Sequence, residues 1–319
     1  MKKLIAIVAG EPNSINSEII AKSWKVNKKN KNLFVIGNYY LFKKQINDIG
    51  INIPVTSIDK IQDIKKNMGL CVLNVPLNFK SVYDSNIVDT KKYVIKCLDI
   101  AHYLANTKKI IGFVNAPVDK KIFNKKYLGV TEYLSEKNMC KNKEVMMIHN
   151  KKLSVVPLTT HIDIKNVANK ITFNLIKSKI ITLNKFYLKI FNKKPKIAIL
   201  GLNPHNSENR DNSIENKIIK PALIKLRKIK IDIKGPFPAD TAFNKQKTNA
   251  YDVIVGMYHD QVLAPFKALY GYDAINITLG LKYLRLSPDH GTAQDIIGLN
   301  KGNPESLESA INFLHRIND

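Results

Sequence analysis

Unbroken apolar runs alternate along the chain with helically spaced apolar positions, the signature of a mostly parallel sheet with helices on its faces. Residues 4–9 are apolar throughout, as a strand buried on both faces requires. A helix over 18–26, a strand over 33–36 and a helix over 39–49 follow. The helix predicted over 90–106 puts Val94, Cys97, Leu98 and Ala101 on one face, and the strand over 110–114 ends at Asn115-Ala116-Pro117. Past Gly129 a short helix from Thr131 leads to strands near 145–148 and 153–157. Asp163 is placed to cap a long helical stretch to Phe191, broken near Lys179 and closed by Lys194-Pro195. Strands over 196–200, 253–256 and 274–277 and a helix over 214–228 come next. Asn303-Pro304-Glu305 starts a last helix, with proline at its first position.

Length changes this picture first. A chain of 319 residues exceeds what one core comfortably holds, so two α/β lobes are expected. The boundary is read near residue 130, giving 1–129 with about 275–319 as one lobe and 130–274 as the other. No apolar run reaches the roughly 18 residues of a membrane helix, so no membrane partner is expected. The apolar start runs straight into Glu11-Pro12-Asn13, which reads as a buried strand and not a secretory signal. Cys71, Cys97 and Cys140 lie far apart without a CxxC pair, which argues against a disulfide framework or thiolate zinc site. A cytoplasmic location follows by default.

The formal charge of +25 raises the possibility of a basic nucleic-acid-binding protein. Only Arg210, Arg227, Arg285 and Arg316 are arginines, however, and the lysines spread through the chain among abundant Asn and Ile. That trio is what an A/T-rich genome encodes. Lys28-Lys29-Asn30-Lys31 and Lys141-Asn142-Lys143 read as solvated loops, and basic clusters interleaved with aromatics are missing. No nucleic-acid partner is expected, while anionic substrates are favoured.

Candidate chemistry lies with the histidines. His161, His205 and His259 each follow an apolar strand and a polar turn: Val155-Val156-Pro157-Leu158-Thr159-Thr160-His161, Ile197-Ala198-Ile199-Leu200-Gly201-Leu202-Asn203-Pro204-His205 and Val253-Ile254-Val255-Gly256-Met257-Tyr258-His259. Ligands of open α/β sheets gather beyond strand carboxyl ends, so these imidazoles are candidates to converge. Three imidazoles with one open position suit a catalytic divalent metal. A lone strand-end histidine is more often a hydrogen-bonded loop residue, and this spacing is no motif by itself. His102, His149 and His315 read as structural. His290 is open to either reading.

The words around these residues resemble a known family. Gly201-Leu202-Asn203-Pro204-His205, Gly235-Pro236-Phe237-Pro238-Ala239-Asp240-Thr241, Met257-Tyr258-His259-Asp260-Gln261, Asn276-Ile277-Thr278-Leu279-Gly280 and Asp289-His290-Gly291-Thr292-Ala293 are similar, in order and spacing, to blocks of 4-hydroxythreonine-4-phosphate dehydrogenases. Weaker matches extend to Gly10-Glu11-Pro12 and Gly129-Val130-Thr131-Glu132, so the resemblance covers nearly the whole chain. It implies a three-layer α/β/α fold of the isocitrate/isopropylmalate-dehydrogenase type, two lobes with the active site in the cleft between them. It also implies a homodimer whose interface carries that site, the second lobe supplying dimer contacts. His161, His205 and His259 become the metal ligands, with partners contributed across the dimer. Zinc is the first expectation and magnesium, cobalt or manganese the alternatives. Thr131, Lys267, Asn276 and Arg285 become the substrate contacts, and Asp240, Asp260 and Lys267 the candidates for the catalytic proton acceptor.

The implied reaction is NAD- or NADP-dependent oxidation of 4-phosphohydroxy-L-threonine to a 3-oxo acid. That acid decarboxylates to 3-amino-2-oxopropyl phosphate on the route to pyridoxine and pyridoxal phosphate. No GxGxxG follows any strand, so cofactor-binding residues stay unassigned. Four departures matter. Val130 replaces a substrate-binding histidine of the family, residues 206–213 replace a glycine-rich loop, Ser14-Ile15-Asn16 replaces Gly-Ile-Gly, and Asn115-Ala116-Pro117 stands where a Gly-Pro pair is usual. A dehydrogenase of another phosphorylated hydroxy acid, such as 4-phospho-threonate, and a catalytically inactive relative are the alternatives.

Overall fold

The computed structural model describes residues 3–26, 32–65, 68–123, 127–271 and 273–318. They divide into two compact units, Met1–Leu134 with Lys282–Asp319, and Ser135–Leu281. The lysine run at 28–31 lies outside the described residues. Lys141-Asn142-Lys143 forms an exposed turn.

The first unit is built on β1 (Leu4–Val8), α1 (Asn16–Val26), β2 (Leu33–Gly37), α2 (Tyr39–Asp48), β3 (Val55–Ile58), β4 (Leu70–Asn74), α3 (Ile87–Asn106) and β5 (Ile110–Asn115). Its strands run parallel in the order β3-β4-β2-β1-β5, and a later strand, Leu284–Pro288, continues them beside β5. Central β1 is buried from Ile5 to Val8, which explains its unbroken apolar run. Asn38 and Asn86 cap α2 and α3, their side chains accepting from the Leu41 and Asp89 N–H groups. Strands β3 and β4 are passed over by the sequence reading, being short and set off by Pro54 and Gly69.

The second unit begins inside α4 (Val130–Lys137). It contains β6 (Val145–His149), β7 (Ser154–Thr159), α5 (Ile164–Lys170), α6 (Phe173–Phe191), β8 (Ile197–Leu200) and α7 (Lys220–Lys228). β9 (Ile233–Phe237), α8 (Lys245–Ala250), β10 (Val253–Tyr258), α9 (His259–Tyr270) and β11 (Ile275–Leu279) complete it. Strand order is β11-β6-β7-β10-β8-β9, with β7, β10, β8 and β9 parallel and β6 antiparallel to both its neighbours. The chain then returns to the first unit through β12 (Leu284–Pro288) and α10 (Glu305–Asn318). Edge strand β9 escapes the sequence reading because Gly235-Pro236 interrupts it, and an edge strand tolerates a proline more readily than a central one.

One expectation is corrected. The long helix after Asp163 breaks at Ile171-Thr172, not near Lys179. Ile171 and Thr172 are extended, and the Thr172 hydroxyl accepts from the Leu175 N–H at 3.1 Å, restarting the helix. Lys179 instead continues α6 and donates to the Glu144 carbonyl. Ile176, Ile180, Leu183 and Tyr187 then follow helical spacing into the core. The helix expected over 214–228 opens as a π-turn, Glu215–Ile219, before α7.

Candidate active site

Four adjacent parallel strands of the second unit each end at a residue singled out from sequence. β7 leads to His161, β10 to His259, β8 to His205 and β9 to Asp240. Neighbouring strands lie about 4.8 Å apart, so this order alone brings distant segments of the chain together. Two side chains tie the strand ends to one another. Thr159 Oγ1 donates to the Met257 carbonyl at 2.7 Å, joining β7 to β10. Buried Gln261 accepts from the Met257 N–H at 2.7 Å and donates to the Gly201 carbonyl at 2.8 Å, joining β10 to the end of β8. Gln261 lies in a quoted motif, yet its bridging role had no signal in the sequence.

The His161 and His259 rings stand 6.0 Å apart between centroids, tilted by 36°. Two imidazoles on one tetrahedral zinc, with Zn–N about 2.0–2.1 Å, would have ring centres roughly 5–5.5 Å apart. The pair is therefore close to ligand spacing. His259 Nδ1 lies 2.6 Å from Asp260 Oδ1. A carboxylate only accepts, so Nδ1 is the donor in this contact, and in the neutral ring that leaves Nε2 as the nitrogen for a metal.

The two donors suit an ion of zinc type, but they are a pair and not a triad. Among the described residues no three His, Cys, Asp or Glu side chains gather where they could hold a metal. His205 is exposed on the loop after β8 and opens a run of left-handed backbone. His161 shares that conformation, with φ of 52°. Left-handed non-glycine residues are uncommon and cluster at functional sites.

Of the candidate proton acceptors, Asp240 is exposed and accepts from the Thr241 N–H at 2.9 Å. Asp260 is engaged with His259. Lys267 is half-buried on α9, seven residues beyond Asp260 and so on nearly the same face. Asn276 is the second residue of β11, with a buried Oδ1 that lacks a hydrogen-bond partner among the described residues. Such an acceptor is costly to leave empty and suits a donor arriving with a ligand.

Arg285 and Thr131 belong to the first unit. Arg285 on β12 is only 3% exposed; its Nε donates to Asn115 Oδ1 at 2.5 Å and its Nη1 to Thr131 Oγ1 at 3.1 Å. Burial pulls the guanidinium down to about 10, and the Glu132 carboxylate opposes that shift. Arg285 thus holds Thr131 at the start of α4 and is not an open fork on the surface. Its partner Asn115 reads from the sequence as a strand end and a departure from the family pattern, with no sign of this bond. Val130, first in α4, is buried.

Glu11, in the turn after β1, is 5% exposed, and among the described residues its Oε2 has no hydrogen-bond partner. Burial raises its carboxyl to about 7, against backbone N–H groups of Asp119 and Asn13 that favour the anion. A raised carboxyl stabilises the fold below the ordinary value and loses that contribution as pH climbs through about 7. The shift from 4.5 corresponds to about 3 kcal/mol. Glu11→Gln is therefore expected to gain melting temperature over the native chain between pH 5 and pH 8. Parallel melting curves for the two proteins across that range would rule the idea out.

Among the described residues no helix is long and apolar enough to cross a membrane. Comparison with known proteins agrees with the motif reading. The profile of the family described as pyridoxal phosphate biosynthetic protein PdxA matches residues 29–314. A 4-hydroxythreonine-4-phosphate dehydrogenase of Sulfurihydrogenibium sp. is 38% identical over 313 residues, 96% of each chain. A D-threonate 4-phosphate dehydrogenase of Salmonella typhimurium is 31% identical over 97% of each. A solved structure of the Klebsiella pneumoniae 4-hydroxythreonine-4-phosphate dehydrogenase superposes with a TM-score of 0.87 at 28% identity, covering 99% of this chain and 100% of that one. Isocitrate and β-decarboxylating dehydrogenases share the fold alone, at much lower identity, as expected for this α/β class.

Proposed function

Because the chain belongs to the PdxA family and is a dehydrogenase of that type, we propose that it oxidises 4-phosphohydroxy-L-threonine in pyridoxal phosphate biosynthesis. The reaction turns the substrate's secondary alcohol into a ketone. The resulting 3-oxo acid loses carbon dioxide to give 3-amino-2-oxopropyl phosphate. NAD or NADP supplies the hydride acceptor.

The observation that carries this reading is the row of His161, His259 and His205 on adjacent strands β7, β10 and β8, with two of the rings at 6.0 Å. These residues would hold a divalent metal, zinc first, which supplies Lewis-acid polarisation of the alcohol when bound. The pair in one chain supports a site completed across a homodimer. Asp260 fixes the His259 tautomer and so leaves the proton-acceptor role to Asp240 or Lys267. Asn276 offers its empty acceptor to a substrate N–H or O–H. Thr131, held by Arg285, presents a hydroxyl at the start of α4, where helix N–H groups favour a phosphate. Purified protein with zinc should reduce NAD⁺ or NADP⁺ on 4-phosphohydroxy-L-threonine; absence of turnover with either cofactor would overturn the assignment.

A second substrate is favoured by one residue. Val130 lacks the donor that a histidine would offer beside Thr131, and the Salmonella relative named above takes D-threonate 4-phosphate. If 4-phosphohydroxy-L-threonine is the substrate, Val130→His should lower KM about ten- to a hundredfold, the worth of one hydrogen bond to a charged group. The kcat should change little, as for uniform binding. Loss of activity in that variant, with faster native turnover of 4-phospho-threonate, would reassign the substrate and keep the dehydrogenase.

A further inference from the structure

The loop that carries His205 is left-handed for five residues in succession: His205, Asn206, Ser207, Glu208 and Asn209 have φ between 50° and 58°, and none is glycine. L-residues visit this region singly, since each one crowds its Cβ against the following carbonyl. Such a run persists only if its surroundings hold it. A buried carboxylate does so here. Glu215 is 0% exposed, at the first position of the π-turn Glu215–Ile219. Its Oε1 accepts from the N–H groups of Leu202 and Asn203 at 2.9 and 2.8 Å and from Asn203 Nδ2 at 3.2 Å. Its Oε2 accepts from Asn203 Nδ2 at 3.2 Å and from the Ser207 hydroxyl at 3.1 Å. Burial alone would raise this carboxyl, but the Asn203 and Ser207 donors outweigh it and hold the group below its ordinary value.

These bonds grip the chain on both sides of His205, two residues before and two residues after. Other contacts guard the far end of the loop: Asn216 Nδ2 donates to the carbonyls of Asn209 and Arg210, and Asn206 Nδ2 to that of Pro236. We propose that Glu215 is a positioning residue that holds the strained left-handed loop in the one conformation that presents the His205 imidazole. The consequence for metal binding rests on the reading of His205 as a ligand; the consequence for the loop does not. A carboxamide keeps one oxygen for the Leu202 and Asn203 N–H groups, but it removes the charge and sets an NH₂ against Asn203 Nδ2 where the second oxygen accepted, so the clamp is weakened on its Ser207 side.

Glu215→Gln tests this in the full-length protein with two readouts. In chelator-treated protein, hydrogen–deuterium exchange over residues 202–210 should quicken about tenfold or more while the β7 and β10 amides keep native protection. Affinity for added zinc alone, from chelator competition, should fall about ten- to a hundredfold, as for loss of a group that orients a ligand. Glu208, exposed and outside the clamp, supplies the converse. Glu208→Gly relieves one left-handed residue, so it should raise Tm by about 1–2 °C and restore part of the loop protection in the double variant. Native exchange of the loop in Glu215→Gln would overturn the proposal, as would destabilisation by Glu208→Gly. Faster loop exchange in a protein whose native form binds no zinc would uphold the clamp and reject the metal reading instead.

Discussion

Replacing His259 by alanine is expected to remove most bound divalent metal and to lower turnover by about a thousandfold or more, since metal polarisation of an alcohol is worth several kcal/mol. His259 stands between the other two candidate ligands in strand order, on β10 between β7 and β8. Its ring is also the one whose tautomer is fixed, through the 2.6 Å contact with Asp260. The neighbouring change Asp260→Asn should be milder, weakening metal about ten- to a hundredfold because the ligand stays while its orientation loosens. Elemental analysis and NAD(P)⁺ reduction on the same preparations read both effects. Full native metal content in His259→Ala would remove this histidine from the site.

Arg285→Ala is expected to destabilise the first unit by about 3–5 kcal/mol, the usual consequence of removing one partner from a buried charged network. Asn115 Oδ1 would lose a donor at 2.5 Å and Thr131 one at 3.1 Å, while the Glu132 carboxylate would lose its opposing charge. Arg285→Lys keeps the charge but not the fork, so it should recover part of the stability and little of the Thr131 geometry. Thermal melts and KM measured together separate two roles. A large KM increase at unchanged Tm would mean that the guanidinium serves substrate directly and that its buried bonds contribute little.

Much of the local structure was legible in the chain. The apolar run at residues 4–9 could only be a strand covered on both faces, and β1 is buried from Ile5 to Val8. Helical spacing announced α1, α2 and α3, and strand-end polar turns announced where His161, His205 and His259 would leave the sheet. Word-like motifs identified the family, because several such blocks in one order and spacing do not arise by chance. Apolar periodicity tells which face of an element is buried and nothing about which element covers it. The order β7-β10-β8-β9 was therefore invisible, for parallel strands take their neighbours from long crossovers and not from adjacent sequence. The same reason hid Gln261, which joins Met257 to Gly201, and Glu215, which reaches back across a dozen residues to Asn203. It also hid the bonds of Arg285: a scarce arginine reads as an anion binder from sequence, with no sign of its contacts to Asn115 and Thr131. The helix break fell at Thr172 and not at Lys179, since a hydroxyl able to cap Leu175 outweighs any weakness in propensity further along. Sequence by itself determined the elements, the family and the chemical types at the strand ends; tertiary structure decided which of those groups meet, because meeting depends on strand order and long-range hydrogen bonds.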